Sequence, residues 1–214
     1  ATGQLWDSNG LVSNKLAIVS EQPPSALTGD SAVVDGHGRY KVTSSGYVGT
    51  NYPYHIFSKI ETDAWISPND TYSATDGTYA GSGSLGGISG EWVKLELPYK
   101  TTLRHFTLRH DTDATNEAQR KQFPVDFKVV ASNDDINWTT LNATTGLSMP
   151  GTTALTTAAR TFVVDDITSY KFYAIVVEKI TNGANFNRCS IGEWRLFTDS
   201  LSVDEGVVEF PGAL

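Results

Sequence analysis

Two arginines flank a polar loop, with Arg109-His110-Asp111 on one side and Arg120-Lys121 on the other. An arginine is a rigid planar fork of donors and an aspartate accepts, so the set suits adjacent hydroxyls on a sugar ring. Such recognition also needs a flat apolar surface. Trp65, Tyr72 and Tyr79, embedded in Gly, Ser, Thr and Asp, are the candidates for it. The same residues read equally as a charged loop with ordinary salt links, although loops carry function more often than scaffolds do. A second set has the chemistry for calcium, which takes backbone carbonyls together with one or two carboxylates. Glu193 heads a strand beside Gly192, and Glu61 and Asp63 lie in a loop. As solvated or hydrogen-bonded carboxylates they need no metal.

Other chemistries fail on spacing. No Gly-x-Ser-x-Gly stands on a strand-to-helix turn, and Gly81-Ser82-Gly83-Ser84 reads as loop filler. His37, His55, His105 and His110 are scattered along the chain, and no closely spaced His/Cys set for zinc occurs. The Gly-rich stretch Gly81 to Gly90 precedes a strand rather than a helix, which rejects a phosphate-binding loop. Asp134-Asp135 and Asp165-Asp166 are adjacent, so in a strand they would point to opposite faces. The expectation is a chain without catalytic activity.

These residues need a scaffold, and the composition points to β-structure. The 214 residues are 39% hydrophobic and 11% aromatic, enough for one all-β domain with a sizeable core. A formal net charge of −8 with no Lys/Arg-rich run argues against nucleic acid and anionic membranes as partners. No apolar run is long enough to span a bilayer. Cys189 is the sole cysteine, which leaves the redox compartment open. The opening Ala-Thr-Gly-Gln has no basic-then-apolar leader, so the expectation is a fragment of a longer polypeptide without a signal peptide.

The clearest strand is Glu91 to Leu97, with Val93, Leu95 and Leu97 facing in and Trp92, Lys94 and Glu96 facing out. Further strands are read over Gly38 to Thr43, Tyr54 to Phe57, Leu103 to Leu108, Phe162 to Val164, Phe172 to Val177 and Ile191 to Phe197. Tyr173-Ala174-Ile175-Val176-Val177 hardly alternates, as a central strand covered on both faces should not. Val125, Phe127, Val129 and Ala131 mark a strand whose Ser132-Asn133-Asp134-Asp135 turn leads to a second strand opening with a buried Trp138. Residues 59–90 and 110–122 read as long loops, which in compact domains tend to be functional. No convincing helix is found. Residues 1–30, with Pro23-Pro24, read as an extended lead-in that pairs at a sheet edge or continues from a stalk. Residues 31–200 are the sandwich and 201–214 a C-terminal extension.

Taken in order, several anchors carry a resemblance. They are Phe57 to Trp65, Gly90-Glu91-Trp92-Val93-Lys94-Leu95-Glu96-Leu97-Pro98, Phe123-Pro124 through Phe127 to Trp138, Tyr173 to Val177, and Glu193 to Phe197. Over roughly residues 22 to 198 the chain resembles the discoidin or coagulation factor 5/8 type C family, of the galactose-binding-like jelly-roll class. Pro23 to Thr28 and Gly192 to Phe197 are similar to a subgroup found in algal-virus proteins and microbial or viral surface fibres. The resemblance implies an antiparallel β-sandwich. In sugar-binding members two arginines at the loop end build the pocket, and Arg109 and Arg120 match them. The family's calcium is held by a carboxylate at the start of the last strand, matched by Glu193, and by an early loop where Asp63 lies close. The expected function is a lectin-like adhesion module, extracellular on a cell or virion surface, with surface glycans or glycoproteins as partners. It would be the tip of a homo-oligomeric fibre, a trimer being one form. The alternative is a structural or protein-interaction module without a sugar pocket. Sequons occur at Asn69, Asn137 and Asn142.

Overall fold

The computed structural model describes residues 19–110, 122–148, 159–181 and 187–199, and of residues 5–7 and 10–12 the backbone alone. The strands are β1 (Leu5–Asp7), β2 (Gly10–Val12), β3 (Val19–Gln22), β4 (Ser31–Val34), β5 (Gly38–Ser44) and β6 (Trp65–Ile66). They continue as β7 (Ser84–Leu85), β8 (Ile88–Ser89), β9 (Glu91–Thr101), β10 (Leu103–Arg109) and β11 (Pro124–Ser132). The last are β12 (Trp138–Thr144), β13 (Arg160–Val163), β14 (Tyr170–Ile180), β15 (Ser190–Ile191) and β16 (Glu193–Asp199). No α-helix occurs among the described residues.

A six-stranded sheet in the order β12-β11-β14-β9-β5-β4 faces a four-stranded sheet in the order β13-β10-β16-β3. The alternation read along β9 holds, with Val93, Leu95 and Leu97 buried between the sheets. They meet Tyr40, Val42, Phe106, Leu108, Phe127, Tyr173, Ile175, Trp194 and Leu196 in one core. β14 is central and covered on both faces. Tyr173, Ile175 and Val177 enter that core, while Ala174 and Val176 pack outward with Val130 beneath Leu85, Ile88, Trp92 and Trp138.

Trp138 is thus half-buried on the outer face, rather than buried as the sequence suggests. Its cover is the β7–β8 turn, where Gly86 has φ +60° and a Cβ would come within 2.8 Å of the Trp138 Cβ. The turn before Trp138 is built as its residue types demand. Ser132 Oγ accepts the Asp134 and Asp135 N–H groups, and Asp134 Oδ1 accepts those of Ile136 and Asn137.

One other expectation changes. Tyr54 to Phe57 forms not a strand but part of a 3-10 helix, Pro53–Phe57. Pro53 has no N–H for a ladder and its fixed φ suits a first helical position, while Ile56 and Phe57 are buried without alternation. The lead-in contributes β3, which pairs with β16 at the edge of the smaller sheet.

Register decides which loops share an end. Arg109 is opposite Glu193, Val177 opposite Glu91, Pro124 opposite Ile180 and Ser44 opposite Val93. Residues 45–64, 67–90, 110, 122–123, 181 and 187–192 therefore gather at one rim. At the other end Val19 is opposite Asp199.

Candidate functional site

The rim is knitted by short pairings rather than left loose. β6 pairs with β15, setting Trp65 opposite Ile191, and isolated bridges join Tyr72 to Tyr79 and Thr78 to Lys179. The stretch read as the long loop 59–90 is thus folded back across the strand ends.

Trp65 is fully buried, and its indole Nε1–H donates to the Gly46 carbonyl at 2.9 Å. Tyr72 is buried too, with its hydroxyl donating to the Val177 carbonyl at 3.1 Å, and burial pushes its pKa well above the usual tyrosine value. Neither ring offers a face to a ligand, which corrects the expectation of an open platform there. Both are large apolar groups paying no penalty inside because their polar atoms find backbone partners. Tyr79 is half-buried, packs edge-on against Tyr72 at 5.4 Å, donates to Glu91 Oε1 at 3.1 Å and accepts the Gly83 N–H at 2.6 Å. Burial raises its pKa as well. Tyr79 ties the Gly-rich loop to the strand beneath it.

Arg109 is 4% exposed. Its Nε donates to Glu193 Oε2 at 3.2 Å, and its Nη1 to the Glu61 and His110 carbonyls at 3.2 and 3.3 Å. The fork expected to hold sugar hydroxyls instead clamps three segments of the protein together. Its Nη2 is buried without a hydrogen-bond partner. The other Glu193 oxygen, Oε1, accepts from Arg195 Nη2 at 2.9 Å. His110 is half-buried, its ring 5.6 Å from that of Phe123. Asp63 is half-buried, and its N–H closes a turn on the Ile60 carbonyl. Asp111 and Arg120 lie outside the described residues. No group of three His, Cys, Asp or Glu side chains placed to hold a metal ion occurs among the described residues.

A cluster of aromatic rings at the rim, one of them exposed and the others half-buried, is formed by Tyr47, Tyr52, Tyr54 and His55. Tyr47 is 44% exposed, and its ring lies 5.2 Å from that of Tyr52. Tyr52 and Tyr54 stack at 5.8 Å with 13° between their planes. His55 meets both edge-on, at 5.6 and 4.6 Å. His55 Nδ1 lies 3.3 Å from the Ala64 carbonyl. A carbonyl can only accept, so Nδ1 carries the proton and Nε2 is left as an acceptor in the neutral ring. Asp30 adds a carboxylate beside this group. Partial burial raises its pKa, against the lowering effect of the Tyr54 backbone N–H and of His55.

The scaffold fixes this loop at several points. The Val48 N–H bonds to the Ile66 carbonyl at 3.1 Å, and Asn51 closes on the Val48 carbonyl through both its backbone N–H and its Nδ2. The Trp65 indole pins the carbonyl immediately before Tyr47. Trp65 therefore serves the site by positioning rather than by contact. The available signal was three tyrosines spaced among Gly46, Gly49, Asn51 and Pro53, residue types of a turn-rich loop.

No protein-family model matches the chain, and no curated protein sequence does. Solved structures match by shape. One is CBM32-3 from a family 31 glycoside hydrolase of Clostridium perfringens, at 13% identity and TM-score 0.54, covering 74% of this chain and 88% of that one. Chitosan-binding module 1 from a chitosanase/glucanase of Paenibacillus sp. IK-5 has 15% identity and TM-score 0.50, covering 73% and 92%. A Clostridium perfringens CBM32-5, solved in complex with GalNAc-β-1,3-galactose, has 13% identity and TM-score 0.50, covering 73% and 94%. The fold is the discoidin-like, galactose-binding-like jelly roll, an antiparallel β-sandwich. No helix among the described residues is long and apolar enough to cross a membrane.

Proposed function

We propose that this chain is a non-catalytic carbohydrate-binding module that takes a glycan on the long-loop rim. The observation that carries the reading is the cluster of exposed Tyr47 with half-buried Tyr52 and Tyr54, with His55 and Asp30 beside it. Tyrosine faces suit the C–H side of a pyranose ring. The tyrosine hydroxyls, His55 Nε2 and the Asp30 carboxylate suit its hydroxyls. Asp111 and Arg120 would extend the polar set as the resemblance implies. The solved modules named for chitosan and crystallised with GalNAc-β-1,3-galactose lend support to a sugar as the ligand class.

The finer role proposed is attachment at an extracellular surface. Val19 and Asp199 are paired at the end of the sandwich opposite the rim. That geometry suits display at the tip of a fibre or stalk. A single shallow site would bind near the millimolar range, about −4 kcal/mol. Several copies in a homo-oligomer would multiply that affinity.

A glycan array with the intact chain tests the proposal. Tyr52→Ala should weaken every hit by about tenfold, which is ~1.4 kcal/mol. Ile136→Ser, at the far end and 78% exposed, should leave binding unchanged. Hits that survive Tyr52→Ala refute this site, and an array without hits favours a protein-interaction module.

A further inference from the structure

Three oxygens converge at the rim from three separate segments. They are the Glu193 carboxylate at the head of β16, the Glu61 carbonyl from the loop before β6, and the His110 carbonyl just past β10. One carboxylate with backbone carbonyls is the kind of donor set a calcium ion takes. It is also where the resemblance to calcium-holding relatives places the metal. Here all three oxygens accept from Arg109, at 3.2, 3.2 and 3.3 Å.

The set does not fit calcium. Calcium takes ~6–8 oxygens, and among the described residues no three acidic or other metal-binding side chains gather. The Glu193 carboxylate already faces two guanidinium groups, through Arg109 on Oε2 and Arg195 on Oε1. A divalent cation entering there would meet two fixed positive charges. Arg109 and Glu193 are direct register partners on β10 and β16, so the strand pairing itself delivers the guanidinium to the carboxylate. Both ends are almost fully buried, where opposite charges interact most strongly and an unpaired one is most costly.

We propose that the Arg109 guanidinium is the built-in cation of this rim, filling the place of a metal and holding Glu193, Glu61 and His110 together without one. The consequence is a fold whose stability is indifferent to calcium and dependent on Arg109. The proposal does not rest on glycan binding.

Thermal unfolding of the full chain in millimolar EDTA and in millimolar calcium chloride tests it. The two midpoints should agree within about 1 °C, whereas calcium at about 100 times its Kd would raise the midpoint by roughly 5–10 °C. Arg109→Lys keeps a point charge but loses the fork and should melt lower than wild type. Arg109→Ala should melt lower still, by roughly 10 °C. A wild-type midpoint that rises with calcium overturns the proposal, and so does an Arg109→Ala chain that melts with the wild type. If Arg109→Ala does not fold, wild type and Arg109→Lys decide between the outcomes.

Discussion

The tripeptide Gly-Glu-Trp opens two strands at the same rim, as Gly90-Glu91-Trp92 in β9 and Gly192-Glu193-Trp194 in β16. The two copies sit in opposite phase. In β9 the glutamate points inward with Val93 and Leu95, and Trp92 packs on the outer face. In β16 it is Trp194 that enters the core with Leu196, and Glu193 lies on the other side with Arg195. Both carboxylates are buried, at 3% and 8% exposure, yet they are compensated by different chemistry. Glu193 meets two guanidinium groups, one across the strand pair and one two residues along its own face. Among the described residues Glu91 meets hydroxyls, those of Ser45 and Tyr79. Identical local sequence therefore acquires a charged clamp in one strand and a neutral latch in the other, because a one-residue change of phase exchanges the neighbours.

Breaking the clamp should cost most. Glu193→Ala leaves Arg109 buried without its counter-charge, and about 3–5 kcal/mol of stability should be lost. Urea unfolding gives the number, and the rate at which Cys189 labels provides a local check. Cys189 is buried beside this rim, and burial first and Glu91 second push its thiol pKa well above the usual range. Its labelling should therefore be slow in the wild type and faster when the rim opens. A Glu193→Ala chain within ~1 kcal/mol of wild type would remove the charged half of the comparison.

The latch should respond less. Glu91→Gln keeps an oxygen that accepts one hydroxyl and offers an amide that donates to the other, so about 1 kcal/mol should be lost. The same isosteric change at Glu193 should cost more, since a buried arginine then faces a neutral group. Measuring the two glutamine variants side by side sharpens the contrast. If Glu91→Gln proves the more damaging, hydroxyl donors matter more at this rim than guanidinium groups do.

The two copies also mark how far a single sequence can be read. Alternation along β9 placed Glu91 to Leu97 correctly, because period-two burial is a local property. Ser132 to Asn137 was equally legible, since its turn is built from hydrogen bonds two or three residues apart. What escaped is set by partners far along the chain. Arg109 looked available for a ligand until its register partner 84 residues away claimed it. Trp65 looked like a loop aromatic until β15 paired with β6 and closed over it. The surface formed by Tyr47, Tyr52 and Tyr54 depended on seeing Pro53 as the start of a 3-10 turn rather than a strand. Residue types thus announced the jelly roll, while its candidate site emerged only with the pairing of distant segments.

A third carboxylate, Asp134, completes the comparison from the exposed side. It has neither burial nor a guanidinium. It accepts from the Ile136 and Asn137 N–H groups and from Asn137 Nδ2 and Ser132 Oγ. Those bonds, the Asn137 amide foremost, hold its pKa well below the usual aspartate value. A carboxylate depressed in the folded state stabilises the protein above its unfolded pKa of ~3.9, and that contribution fades as pH falls toward the folded value. Asp134→Asn should therefore destabilise the β11–β12 hairpin slightly at neutral pH, and the gap from wild type should close as acid is added. Unfolding midpoints followed down the pH scale would reveal it. Solvent weakens each of these bonds at the surface, so the effect should be the smallest of the three carboxylates. A loss at Asp134 as large as that at Glu193 would mean that bond count, not burial with a counter-charge, governs how much a carboxylate contributes to this fold.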